Sequence, residues 1–217
     1  KDFTPAEIRK VVAMAGVQER RLADETICST DLCVAAADKI IAALNWEPQT
    51  IDAVILVTQT PDYFLPSSSC LIHKQLGLSE NCAAFDIGLG CSGYPYGLWM
   101  AAMMIQTGAA DVVVAGGVES MSNVEHYTTN LRQGVRFGDM TLHDRLTRGR
   151  LMSQPIERFG VISGMIETAE NLAKDYDISR EVSDAYAVRS HQNAAAAWDA
   201  GKFDAQMVPV EIPQRRG

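Results

Sequence analysis

One cysteine stands where its side chain could do nucleophilic chemistry. The stretch Ala83-Ala84-Phe85-Asp86-Ile87-Gly88-Leu89-Gly90-Cys91-Ser92-Gly93 runs from an apolar, strand-like segment through a glycine-rich bend. A helical stretch from about Ser92 to Gln106 follows. Glycines remove side chains where a backbone turns sharply or approaches a ligand. The start of a helix carries partial positive charge and unpaired N–H groups, which stabilise a thiolate. A thiolate held at a strand–helix elbow suits an acyl-accepting nucleophile. Structural packing of a buried thiol is the competing reading. A redox-sensing thiol is a third, weakened because no resolving cysteine lies near Cys91 in sequence. The four histidines are His73, His126, His143 and His191. His73 falls within a helix, His126 and His143 in a polar excursion and His191 on a late helix, so none pairs with Cys91 by spacing.

The elements that must position Cys91 are legible from apolar pattern and punctuation. Lys1 to Val12 reads as a helix with Thr4 as N-cap and Pro5 at its first position. Opening directly on a helix hints at a missing preceding strand. Ser29 or Thr30 should cap a second helix with apolar positions Leu32, Ala36, Ile40 and Leu44. Ile51 to Gln59 is apolar and β-branched, which predicts a buried strand ended by Thr60-Pro61-Asp62. Pro66-Ser67-Ser68-Ser69 opens a helix closing near Gly77, and Asp111 to Ala115 is a further strand before Gly116-Gly117. Strands alternating with helices predict a parallel sheet covered on both faces, with ligands beyond the carboxyl ends of its strands.

From Glu119 to Arg158 the pattern is polar and irregular, with Arg132, Arg136, Arg145, Arg148, Arg150 and Arg158. Two helices follow, about Val161 to Asp175 and Arg180 to Ala200. Ser179 is the N-cap of the second and Gly201 ends it. Met207 to Ile212 is expected to be a last strand. The shift in character divides the chain into 1–117 and 118–217.

Bulk properties narrow the classes. The chain has 217 residues, 47% of them hydrophobic, enough for one large or two small domains. A formal net charge of −8 disfavours unaided binding to nucleic acid or anionic membrane. Cys28, Cys33, Cys70, Cys82 and Cys91 form an odd set without a C-x-x-C pair. With no secretory signal at the N-terminus, that points to reduced thiols in the cytoplasm.

The first half, about residues 1–108, resembles ketoacyl-ACP synthase III of the thiolase superfamily. The matching runs are Gly16-Val17-Gln18-Glu19-Arg20-Arg21, Thr30-Asp31-Leu32, Ile51-Asp52-Ala53-Val54-Ile55, Thr58-Gln59-Thr60-Pro61-Asp62-Tyr63, Leu76-Gly77-Leu78 and Phe85-Asp86-Ile87 through Cys91-Ser92-Gly93-Tyr94. Residues 109–217 resemble the loop domain of acetyl-CoA acetyltransferase, a thiolase, through Ala115-Gly116-Gly117-Val118-Glu119-Ser120-Met121-Ser122, Thr168-Ala169-Glu170-Asn171, Ile178-Ser179-Arg180-Glu181 and Phe203-Asp204 to Ile212. One chain carrying both is a mosaic, natural or engineered.

The resemblance implies an α/β fold, the N-terminal half of a layered αβαβα body with an inserted, mainly helical loop domain. It implies an acyltransferase in which Cys91 takes an acyl group from an acyl-CoA thioester for Claisen condensation or thiolysis. Condensation of acyl-CoA with malonyl-ACP is the alternative within the class. A non-catalytic acyl-CoA-binding half-subunit is the alternative outside it. No cofactor or metal is implied beyond the coenzyme A thioester as substrate. Expected partners are acyl-CoA or acyl carrier protein, a second copy in a homodimer or higher oligomer, and a separate C-terminal half.

That C-terminal half is expected because the families' N-x-x-H or G-H-P histidine motif and second Cys or Asn are missing here. The substrate-binding positions implied are Leu65, Met165, Ser190 and His191. Leu65 matches a residue that reaches across a dimer, and Met165 lies in Gly164-Met165-Ile166 where thiolases have His-Met-Gly. Ser190 and His191 lie where thiolases approach the adenine of coenzyme A. Lys10 and Met14 replace the tryptophan and arginine that hold adenine in synthase III enzymes. The arginines from Arg132 to Arg158 would meet phosphate or serve as a solvated loop with local acidic partners.

Overall fold

The computed structural model describes residues 4–15, 17, 22–129, 131–161 and 164–209. Its centre is β1 (Ala53–Val57), five consecutive apolar residues, all buried. An unbroken apolar run suits a central parallel strand because both of its faces are covered. β2 (Ala83–Ile87) and β3 (Val113–Gly117) flank it in parallel, in the order β2-β1-β3. Ile55 lies in register with Phe85 on one side and Ala115 on the other.

Alternation along β1 assigns its two faces. Val54 and Leu56 pack with Ala37 and Ile41 of α2 (Ser29–Ala43) and Ile72 and Leu76 of α3 (Ser68–Gln75). Ile55 and Val57 pack with Ala101 of α4 (Gly93–Gln106). Burying one such isoleucine or leucine stabilises the fold by about 1.5–3 kcal/mol. The result is the expected α/β arrangement, with helices on both faces of a parallel sheet.

Hydrogen bonds fix the start of several elements. Thr4 caps α1 (Pro5–Ala15): its hydroxyl accepts from Glu7 N at 3.3 Å, and its own N–H donates to Glu7 Oε2 at 2.8 Å. α2 starts earlier than expected, with Cys28 as N-cap and Cys28 N donating to Asp31 Oδ2. Ser29 and Thr30 lie inside the first turn and are buried, because they face the loop after β1 and not solvent. The N-terminus of α3 is held by Asp86 of β2, whose carboxylate accepts from Ser68 N and Ser69 N, both at 2.9 Å. β3 begins two residues later than expected. The N–H groups of Asp111 and Val112 donate to Asp52 Oδ2, at 2.8 and 3.0 Å, before sheet pairing starts.

The apolar stripe expected on α2 is not the one in the core. Ala37 and Ile41 are buried, whereas Ile40 and Leu44 are about half exposed. The helix has two apolar sides. One lies on the sheet, and the other, with Leu32, Ala36 and Ile40, borders an open cleft of about 450 Å³. Tyr94 and Leu98 of α4 and the outer flank of β3 line the rest of the cleft. No strand pairs with that outer edge of β3 among the described residues.

Beyond Ser120 no described residue is buried. The polar excursion holds a small antiparallel pair, β4 (His126–Tyr127) and β5 (His143–Asp144), then α5 (Arg145–Leu151) and α6 (Ile156–Phe159). α7 (Met165–Asp175) and α8 (Arg180–Asp199) follow. Ser179 caps α8, its hydroxyl accepting from Val182 N at 3.4 Å, and Gly201 ends it at φ +66°. The strand expected from Met207 is not formed over Met207 to Pro209, and its remainder lies outside the described residues. No described helix is long and apolar enough to cross a membrane.

Candidate active site

Cys91 lies on a single 3-10 turn, Gly90–Ser92, between β2 and α4. It is exposed in this chain. The α-helix proper starts at Gly93, one residue after the expected start at Ser92, so Cys91 lies on the turn just before it. Gly90 sits at φ +60°, in the left-handed region that an L side chain rarely adopts. The turn is closed by Ser92 Oγ donating to Leu89 O at 3.1 Å.

Two close approaches seat this turn over the carboxyl end of β1. A Cβ at Gly93 would overlap Val57 Cγ1, and one at Gly97 would come to 3.3 Å of Val57 Cγ2. The start of α4 therefore rests directly on the last residue of β1. The side-chain amide of Gln59, two residues beyond β1, lies 3.0 Å from where a Cβ of Gly90 would be.

Glu119, two residues beyond β3, joins the same edge. Its carboxylate accepts from Gln59 N at 2.8 and 3.0 Å and from Thr60 Oγ1 at 2.9 Å. Thr58 Oγ1 reaches Val118 O at 2.8 Å, and Ser29 Oγ donates to Thr60 O at 2.7 Å. The segments after β1 and β3 are thus tied to one another and to the start of α2. Glu119 and Gln59 appear in the sequence only inside longer matching runs. The available signal was a Thr-Gln-Thr at one strand end and a Glu just past the glycine pair of its neighbour.

The other expected positions do not converge on Cys91 through any hydrogen bond or ion pair among the described residues. Leu65 is 88% exposed in the loop before α3. Its neighbour Phe64 lies under Arg145, whose guanidinium carbon is 4.5 Å from the ring centroid. Met165 is the exposed first residue of α7. Ser190 and His191 are exposed on α8, where Ser190 borders a shallow recess with Tyr186, Arg189 and Asn193.

The histidines have local surroundings. His73 Nε2 is 2.8 Å from Ser79 O. His126 Nε2 is 3.9 Å from Asp144 Oδ2, and His143 stacks at a tilt on Tyr127. Three of the six arginines have local partners. Arg145 pairs with Glu125 at 2.8 Å, Arg148 donates to Tyr127 Oη at 3.2 Å, and Arg158 lies over Phe159. No group of metal-ligating side chains occurs among the described residues.

Burial, and then the carboxylates of Asp62, Asp86 and Glu119, push the Cys33 thiol up to about 11. Burial also raises Cys82, and burial with Asp62 and Asp31 raises Cys28. None of the five cysteines is in a disulfide.

Known proteins resemble this chain along two lines. A cytosolic acetyl-CoA acetyltransferase of Gibberella zeae is 38% identical over 153 residues, 70% of this chain and 36% of its own. A beta-ketoacyl-acyl-carrier-protein synthase III of Caldanaerobacter subterraneus is 36% identical over 129 residues, 59% of this chain and 38% of its own. The crystal structure of the Bacillus anthracis acetyl-CoA acetyltransferase superposes with a TM-score of 0.76 at 32% identity, covering 89% of this chain and 48% of its own. The chain spans between about a third and a half of the length of these relatives. The family model of the thiolase N-terminal domain matches residues 12–217. With that match over nearly its whole length, and with Cys91 on the elbow between β2 and α4, the chain belongs to the thiolase family as its N-terminal domain.

Proposed function

We propose that this chain carries the nucleophile of a thiolase-type acyltransferase. Cys91 sulfur attacks the carbonyl carbon of an acyl-CoA thioester. The bond to coenzyme A sulfur breaks, coenzyme A leaves as the thiol and the acyl group stays on Cys91. An enolate then takes the acyl group in a Claisen condensation, releasing the thiol. In the reverse direction, coenzyme A cleaves the product. The single observation that carries this reading is the exposed position of Cys91 on a tight turn at the carboxyl edge of a parallel sheet. That edge is where open α/β sheets bind ligands.

The second substrate in this reading is another coenzyme A thioester, as the resemblance of residues 109–217 suggests. Malonyl-ACP is the second reading, favoured by the synthase III likeness of the first half. Leu65, Met165, Ser190 and His191 are the substrate-contacting positions of the assembled enzyme. The division into an α/β unit over 1–117 and a loop unit over 118–217 belongs to the same proposal.

The catalytic base comes from further polypeptide: His73, His126 and His143 are engaged locally, and no histidine among the described residues bonds to the Cys91 turn. Two features support a covering partner. The outer edge of β3 is unpaired among the described residues. α4 contains no charged residue, yet exposes Tyr96, Trp99 and Met103. A helix without a polar face belongs in an interior.

The test is incubation with acetyl-CoA followed by mass measurement of the intact chain and of its Cys91→Ser variant. An acetyl adduct mapped to Cys91 and absent from the variant is expected. Coenzyme A binding without an adduct in either protein would support the non-catalytic acyl-CoA-binding reading instead.

A further inference from the structure

The contacts on one side of Cys91 form a continuous chain that the acyl-transfer reading does not use. Glu119 grips the backbone N–H of Gln59 with both carboxylate oxygens, at 2.8 and 3.0 Å. One of those oxygens also accepts from Thr60 Oγ1 at 2.9 Å, while the single Thr58 hydroxyl proton goes to Val118 O at 2.8 Å. A carboxylate with two donors on one segment fixes both the path of residues 58–60 and the direction in which Gln59 leaves the backbone. The Gln59 amide then lies flat against Gly90, 3.0 to 3.3 Å from the space a Cβ would occupy. Gly90 is the left-handed residue that starts the Cys91 turn.

The surroundings argue that this clamp serves the turn and not merely the sheet. The sheet is already joined there by backbone bonds, Thr58 N to Ile87 O at 3.2 Å and Val118 N to Val57 O at 3.3 Å. Gly93 and Gly97 seat α4 on Val57 from below, and Gly90 is the glycine of the turn where an added Cβ would meet a polar side chain. Glycine enters the left-handed region about as readily as the right-handed one, so the backbone of Gly90 does not by itself hold the turn in one shape. The Gln59 amide borders Gly90 at that Cβ position.

We infer that Glu119 is a positioning residue for the nucleophile, acting through the side chain of Gln59 on Gly90 to hold the Cys91 turn in its attacking geometry. The role rests on the proposal that Cys91 accepts acyl groups. An ångström of misplacement at a reacting atom lowers rate by as much as about a hundredfold. The effect therefore reads out in Cys91 kinetics before it reads out in folding.

The experiment compares wild type, Glu119→Ala, Glu119→Gln, Gln59→Ala and the Glu119→Ala/Gln59→Ala double variant of the full chain. Iodoacetamide labelling rates are measured at Cys91 and, as an internal reference, at the exposed Cys70. Acetylation from acetyl-CoA and thermal midpoints are followed in parallel. The expected result is a fall of about threefold or more in the Cys91-to-Cys70 rate ratio in Glu119→Ala and in Gln59→Ala. The double variant should fall no further, since two links of one chain are not additive. Glu119→Gln should largely restore the ratio, because an amide oxygen still accepts from Gln59 N and the amide nitrogen can donate to Thr60.

An unchanged ratio in Gln59→Ala, or additive losses in the double variant, overturns the inference. If Glu119→Ala does not fold, Gln59→Ala and Glu119→Gln still decide it, because Gln59 is exposed. A wild type that labels normally at Cys91 but takes no acetyl group would sink the acyl-transfer reading while the ratio test still judges the clamp.

Discussion

Val57, the last residue of β1, leaves no room for a side chain at Gly93, two positions after Cys91. The contact fixes the height of the Cys91 turn above the sheet, because α4 can approach β1 that closely only through a glycine. Gly93→Ala must push α4 outward or force Val57 from its rotamer. Such overpacking costs about 1–3 kcal/mol. Urea denaturation should show that loss, and Cys91 labelling should change with it. Adding Val57→Ala should recover part of the loss by making space. Independent, additive losses would contradict the packing argument.

Exposure and ionisation separate the five thiols. At pH 8 a thiol held at about 11 is only about one-thousandth ionised, and Cys33 is half-buried as well. Brief iodoacetamide treatment of the folded chain at pH 8, followed by peptide mapping, should find Cys91 and Cys70 modified and Cys33 untouched. Rapid modification of Cys33 would show that α2 opens from the sheet.

The same group sets an alkaline limit. Cys33 is raised in the folded chain, whereas an unfolded thiol ionises near about 8.5. Its neutral form favours folding fully below about 8.5, and that contribution is lost as pH rises through about 11. The thermal midpoint of the wild type should therefore fall between about pH 9 and pH 11. The fall should be smaller in Cys33→Ala after correction for that variant's own stability at pH 7.

Asp52 behaves in the opposite sense. Backbone N–H groups of Val112 and Asp111 hold its carboxyl below the usual carboxylate range. A lowered folded pKa contributes stability above the unfolded value, about 3.9, that is lost as pH falls through the folded one. Asp52→Asn should lower the thermal midpoint at pH 7 and converge with wild type as pH drops below about 4. Equal deficits at pH 7 and pH 3 would show that the side chain acts by shape alone.

The outward face of α4 should govern assembly. Trp99→Lys puts a charge on a charge-free helix where a partner is proposed to sit. An unpaired charge buried at an interface costs several kcal/mol, so association should weaken by about a hundredfold or more. Sedimentation of wild type against variant measures this. A monodisperse monomer in both, with cooperative unfolding, would remove the covering partner from the proposal.

Much of this protein was legible in the order of its residues. The apolar run of β1 has no alternation, and only a strand covered on both sides needs that. Thr4, Ser179 and Gly201 mark helix ends because capping is local chemistry between residues a few positions apart. The glycines around Cys91 announced a turn for the same reason. The residues in chain order determined the main helices and strands of the first half, their parallel arrangement and the turn that carries Cys91.

What the tertiary structure decided are relations between residues far apart in sequence. Sequence periodicity marks the apolar positions of α2 but cannot say which of two stripes meets the sheet. The structure puts Ala37 and Ile41 inward and leaves Ile40 on the open cleft. Ser29 and Thr30 look like caps until the loop after β1 is brought against them. Glu119 and Gln59 stand sixty positions apart, and their bond exists only because β1 and β3 are neighbours ending at the same edge. Side-chain contacts of that kind depend on strand order, which local pattern does not encode. The turn that presents Cys91 was therefore visible in the sequence, and the clamp that holds it became visible only in the fold.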